Sequence, residues 1–291
     1  MRGIRAVARL FRAAAVGWWN DDVPRLGAAL SYYTLFAVAP VLVVAIAIAG
    51  LVFGADAVRG NVVAQAQGMI GHNGALAVQA LLQGASHEKS GIIATVVGSL
   101  TFLVAATGAF LELQTALNTI WGLKADPAIH FVAYLLNRLR ALGLVIAIGF
   151  LLLVSLMVSA ALAALGGWLG ARMSGPAPMW EAVNVLVSVA VVTVLFALLF
   201  RVLPDVELRW RDVWMGSVVT AVLFTGGKEV IGLYLGRGSV ASAYGAAGSV
   251  IVLLLWVYYA TQIVLFGAEF IKAATTEALG HLPERRRDRH S

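Results

Sequence analysis

Residues 201–270 read RVLPDVELRWRDVWMGSVVTAVLFTGGKEVIGLYLGRGSVASAYGAAGSVIVLLLWVYYATQIVLFGAEF. Two apolar runs stand out, Val213 to Leu235 and Ser249 to Phe266. Each is of the length that lets an α-helix cross a bilayer, roughly 20 residues. Inside the first run sit Lys228 and Glu229, adjacent and oppositely charged. An ionised side chain at such a depth costs about 3 kcal/mol or more unless it is paired or wetted, so groups of this kind face other helices or an aqueous cavity. Lys228 and Glu229 are therefore the leading internal-site candidates. They point about 100° apart around their helix and need not pair with each other. The alternative is structural, with Lys228 snorkelling outward to the membrane surface.

The rest of the chain repeats this pattern. Its 291 residues are 60% hydrophobic and 12% charged, with a mean hydropathy of +0.87. A soluble domain is about a quarter charged, so half of the usual charge is missing. Apolar runs predict six spans near 26–54, 91–120, 141–165, 183–203, 213–235 and 249–275. The fold class is accordingly all-α: a polytopic membrane protein built as a six-helix bundle with short amphipathic surface helices. Residues 20–276 form the membrane domain. Cysteine is absent, which excludes thiol catalysis, structural disulfides and cysteine-ligated metal.

Residues 1–19 place Arg2, Arg5, Arg9 and Arg12 at helical spacing, with Ile4, Val7, Phe11 and Trp18 largely on another face. That is a basic amphipathic helix suited to an anionic leaflet, and it lacks the uninterrupted apolar core of a secretion signal. Pro40 lies inside the first span and predicts a kink near Phe36. Between 55 and 90, apolar residues recur at helical spacing among Gln, Asn and His. Two short amphipathic helices are expected there, over the bundle mouth and broken near Gly71-His72-Asn73-Gly74. The second span carries Glu112, Gln114 and Asn118, with Glu112 roughly 12 Å inside its end. Asp126 to Arg140 reads as a surface helix, Gly166 to Met179 as a turn region, and 277–291 as a polar, disordered tail.

Six spans put both termini on one side. Sixteen of the twenty-one Lys and Arg residues then fall on that side and four on the other, with Lys228 inside a span. The positive-inside rule places both termini in the cytoplasm. Span five runs outward, so Lys228 and Glu229 lie roughly 10 Å below the outer surface. Glu112 and Glu269 fall in the cytoplasmic half, where Arg201, Lys124 and Arg138 are the expected partners. The basic charges are scattered over four cytoplasmic segments rather than gathered on one patch with stacking aromatics, which argues against nucleic acid as a partner.

The residues Arg25-Leu-Gly-Ala-Ala-Leu-Ser-Tyr-Tyr-Thr-Leu-Phe with Pro40, Leu113-Gln-Thr-Ala-Leu-Asn-Thr-Ile-Trp121 and Phe200-Arg-Val-Leu-Pro204 form the start of an ordered pattern. It continues through Trp210-Arg211, Gly216, Lys228, Tyr234, Tyr244-Gly-Ala-Ala-Gly-Ser249, Leu255-Trp-Val-Tyr258 and Gly267-Ala-Glu269. Over about residues 20–275 the chain resembles the YihY/BrkB family of bacterial inner-membrane proteins. Where that pattern usually has Ser before the span-one proline, Ala39 stands here. The resemblance implies six membrane helices in the inner membrane. It also brings links to serum resistance and to lipid export in the envelope, and a ribonuclease label widely regarded as a misassignment.

Three functions compete. A transporter or lipid-translocating protein would use Glu112, Asn118, Arg201, Lys228, Glu229, Tyr234, Tyr244 and Glu269 as an internal polar site. Lys228 and Arg201 would then attract anionic lipid headgroups, while the glutamates balance charge or carry protons. A scaffolding membrane protein would use the same groups only to fix helix register. A ribonuclease needs clustered ligands or a positioned acid–base pair. The five histidines lie in connectors or the tail, none at ligand spacing, so no catalytic residue, metal or cofactor is assigned. No glycine-rich phosphate loop is present either.

Overall fold

The computed structural model describes residues 2–86, 107–123, 177–236 and 247–279. Among them every regular element is a helix. These are α1 (Arg2–Asn20), α2 (Val23–Phe53), α3 (Ala55–Ser86), α4 (107–120), α5 (Ala177–Val202), α6 (Trp210–Gly236) and α7 (Gly248–Leu279). The helices α2, α5, α6 and α7 fall where the apolar runs place spans one, four, five and six. Span three, the first half of span two, the surface helix at 126–140, the turn residues before 177, the loop around Tyr244 and the tail beyond 279 lie outside the described residues.

Local chemistry sets the ends. Asp22 adopts the left-handed conformation at φ 52°, ψ 35°, which a short polar side chain tolerates, and turns the chain from α1 into α2. Pro24 then sits in the first turn of α2, where its missing N–H costs nothing. Further along, α2 continues through Pro40 as one helix to Phe53. The C-terminus of α4 is a Schellman motif. Gly122 takes φ 70°, its N–H reaches Thr119 O at 2.9 Å, and Leu123 N–H reaches Asn118 O at 2.9 Å. In α3, Gly71 at φ 73° breaks the helix in two, within the four residues where the sequence predicts the interruption.

Two apolar clusters show how the helices run. One joins Val23 at the start of α2, Leu117 and Ile120 at the end of α4, and Phe200 and Val206 at and after the end of α5, with Val213 at the start of α6 and Leu265 and Ile271 late in α7. The other joins Ile46 late in α2, Val58, Val78 and Leu82 of α3, and Leu253 and Val257 early in α7. Thus α2 and α6 leave the first end while α4, α5 and α7 arrive there. The helix α3 packs against α2, α6 and α7, so it is part of the bundle and not only a cover for it.

Helix α6 is packed inside out. Ser217, Thr220 and Ala221 are fully buried, whereas Trp214, Val218, Val222, Val230 and Tyr234 are exposed. Small residues inside let helices approach closely, and large apolar residues outside suit a lipid environment. Gly216 faces Ile271, Gly227 faces the Tyr259 hydroxyl, and Gly267 of α7 faces Thr220 and Phe200. Among the described residues, Gly248–Glu277 is the helix long and apolar enough to cross a membrane, with a mean hydropathy of 2.1.

The two adjacent glycines of α6 should respond oppositely to a methyl group. Gly227→Ala overpacks against Tyr259 and Ile263 and should destabilise the fold by about 1–3 kcal/mol. Gly226→Ala meets open space and should be neutral or slightly stabilising through helix propensity, by up to about 1 kcal/mol. Thermal unfolding of the two variants in detergent checks the order.

Candidate functional site

Helix α7 carries Gln262 near its middle, Glu269 and Lys272 beyond it, and Glu277 in its last turn. Gln262 and Glu269 are seven residues apart, two turns on one face. Both lie beneath the elbow where α1 turns into α2. Trp18 donates its indole N–H to Gln262 Oε1 at 3.0 Å. Lys272 Nζ donates to Asp21 Oδ2 at 2.5 Å and lies 3.7 Å from Glu269 Oε2. Phe11 packs edge-on against Phe270 with ring centroids 5.1 Å apart, and Ala14 beside it is fully buried. At the far end Arg9 reaches Glu277 at 3.2 Å, an exposed pair of little energetic weight.

Glycine makes this contact possible. A methyl group at Gly17 would lie well inside contact distance of Glu269 Oε2, and one at Gly27 would strike the Gln262 amide. Glu269 is only 2% exposed. Its Oε1, the Gln262 Nε2 and the hydroxyls of Thr275 and Thr276 are buried without a hydrogen-bond partner among the described residues. Each such orphan costs about 1–3 kcal/mol, so the cluster is held together against an energetic penalty. It has two carboxylates and one ammonium.

A second polar contact closes the same end of the bundle. Asn118 donates Nδ2–H to Asp205 Oδ2 and accepts the Asp205 backbone N–H at Oδ1, both at 2.9 Å. Gln114 adds a longer bond of 3.4 Å to Asp205 Oδ1. This clasp ties α4 to the turn after α5. Nearby, the Arg201 guanidinium stands 6.0 Å from the Trp210 ring centroid, the outer limit of a cation–π contact.

The sequence candidates thus separate into different places. Glu269 meets Lys272 and Asp21, where the sequence leads to an expectation of Arg201, Lys124 or Arg138. Lys272 is three residues on in the same helix and wins by proximity; Lys124 and Arg138 lie outside the described residues. Asn118 joins Asp205. Glu112 is half-buried on α4 and Lys228 half-buried on α6. Tyr234 is 62% exposed on the outer stripe of α6, so it does not line an interior site. Tyr244 and the side chain of Glu229 lie outside the described residues. Sequence reasoning missed Asp21, Gly17, Gln262 and Lys272. The available signal was Gln262, a polar residue inside an apolar run at heptad distance from Glu269. Among the described residues no three His, Asp or Glu gather as metal ligands would.

Comparison with known proteins agrees on class. The family described as virulence factor BrkB matches residues 14–290. A UPF0761 membrane protein of Verminephrobacter eiseniae is 30% identical over 262 residues, covering 85% of this chain and 58% of the relative. Relatives of the same name in Ralstonia nicotianae and Pseudomonas aeruginosa are 26% and 29% identical, covering 86% and 87% of this chain. The chain spans only 55% and 59% of those two relatives. No solved structure matches.

Removing the Asn118 side chain should leave the Asp205 carboxylate and backbone N–H without their partner. Asn118→Ala is expected to destabilise the protein by about 1–3 kcal/mol. Asn118→Asp, of equal size, should do no better because it sets two carboxylates together. Denaturant titration in detergent micelles measures both.

Proposed function

Because the chain belongs to the BrkB family and is an integral membrane protein, we propose that it is a six-span inner-membrane transporter or lipid-translocating protein with both termini in the cytoplasm. The observation that carries this reading is the charged cluster of Glu269, Lys272 and Asp21, placed within and against a helix apolar enough to cross the bilayer. Apolar helices keep such groups at a cost, and inside membranes they mark substrate or ion pathways.

The helix directions support the six-span arrangement. α2 and α6 run away from one end and α4, α5 and α7 run towards it, which is the alternation of spans one, two, four, five and six. Basic residues gather at that same end. Arg25, Arg201, Arg209, Arg211 and Lys272 flank members of the first cluster, while Arg59 adjoins Val58 of the second. This distribution supports a cytoplasmic first end.

A scaffolding role is the second reading, favoured by the Asn118–Asp205 clasp and the Trp18–Gln262 bond. The first ties α4 to the turn after α5 and the second joins α1 to α7, and neither needs a substrate to explain it.

Orientation can be tested because the chain has no cysteine. A single cysteine at the exposed Gln67 should react with an impermeant maleimide in spheroplasts, and one at the exposed Ala13 only in inverted vesicles. The reverse pattern, or labelling of both from one side, would remove the proposed topology.

Transport is tested in liposomes with labelled phospholipid and small ions. Lys272→Met strands two carboxylates beneath α1 and should abolish flux in correctly inserted protein. Unchanged flux in that variant would move the transport site elsewhere, and no flux for any solute in the unsubstituted protein would favour the scaffold.

A further inference from the structure

Among the described residues the cluster beneath α1 is one positive charge short. Asp21 and Glu269 share Lys272, and Glu269 Oε1 is buried with no donor among the described residues. Of the other described charges on α1, α2 and α7, Arg9 pairs with Glu277 and Arg25 with Asp22, while Arg5 and Arg12 are exposed on α1. From α6, Val213, Gly216 and Thr220 pack in this region of α7, and none of them is charged. An unmatched buried carboxylate is costly in proportion to its isolation from water.

The two acids come from different elements. Asp21 stands on the turn that ends α1, and Glu269 on α7, with the Gly17 backbone against its carboxylate. They are neighbours only while α1 is docked. We propose that Asp21 and Glu269 bind one exchangeable monovalent cation beneath α1, and that loss of this cation releases α1 from α7. The ligand is a proton, forming an O–H bond on a carboxylate oxygen and returning to water on release, or a sodium ion held by the same oxygens. In both cases one positive charge completes the neutrality of the cluster. This deepens the reading of the cluster as the internal charge site. Its test follows the position of α1 and not flux, so either idea can fail alone.

The chain without native cysteine allows a direct measurement. Ala14→Cys places a thiol in the fully buried α1–α7 contact, and Ala13→Cys places one on the exposed side of the same helix. The labelling rate of A14C by an impermeant maleimide is read relative to A13C, which cancels the pH dependence of the thiol reaction. In alkaline, sodium-free buffer the ratio should rise as α1 leaves. Restoration of protection by acid alone identifies the proton, and restoration by sodium at alkaline pH identifies the sodium ion. Glu269→Gln removes the excess charge and should keep A14C protected in every buffer. A ratio that stays constant across all buffers overturns the proposal, as does an E269Q chain that follows the same ion response. Hydrogen exchange of the α1 amides in the unsubstituted protein gives the same readout should A14C disturb packing, and protection there that ignores both ions has the same meaning.

Discussion

A charge placed on an apolar helix must be answered by some other part of the protein, and much of this fold serves that requirement. Helix α7 touches α1, α2, α3 and α6, which makes it the axis of the described bundle. Its Glu269 is among the most deeply buried side chains in the molecule. The answer is supplied locally by Lys272, and the Asp21 that shares this lysine brings a whole helix with it. The aromatic contacts of Phe11 and the indole of Trp18 then fix that helix at one angle. Gly17 is what lets the backbone come close enough.

Hydrophobicity is distributed differently here from a soluble bundle. Beyond Val213 the buried positions on α6 are small or hydroxylated, and the hydroxyls bond back to the carbonyl four residues earlier: Ser217 to Val213 at 2.9 Å and Thr220 to Gly216 at 2.8 Å. That satisfies the polar atom within its own helix and leaves the interface free for close backbone packing. The outward face carries the large apolar residues. Membership of a membrane-protein family and this inverted pattern point to the same surroundings.

The long elements were legible because apolar runs bounded by Asp21-Asp22, Pro204 and the glycines at 54, 71 and 74 leave few alternatives to helix. The site was legible only in part. Glu269 and Asn118 stand out as polar residues on apolar helices, but what they meet depends on contacts across 87 to 251 residues of chain. No spacing rule reaches that far. The first helix shows why. Its Phe11 and Trp18 face is equally suited to lipid and to protein, so the pattern predicts an amphipathic helix without saying which partner covers it. In the structure α7 takes Phe11, Ala14 and Trp18, while Val16 and Trp19 remain exposed.

The indole–amide bond from Trp18 to Gln262 and the ammonium–carboxylate bond from Lys272 to Asp21 join residues 244 and 251 positions apart. A ribosome adding 5–20 residues each second needs roughly 10–50 s to make that much chain. Helix α1 must therefore wait, with Asp21 lacking Lys272, while the intervening chain is made. Docking of α1 on α7 has to follow synthesis of both, and a truncated chain ending before Gln262 would leave the Phe11 and Trp18 face of the amphipathic α1 without the helix that covers it.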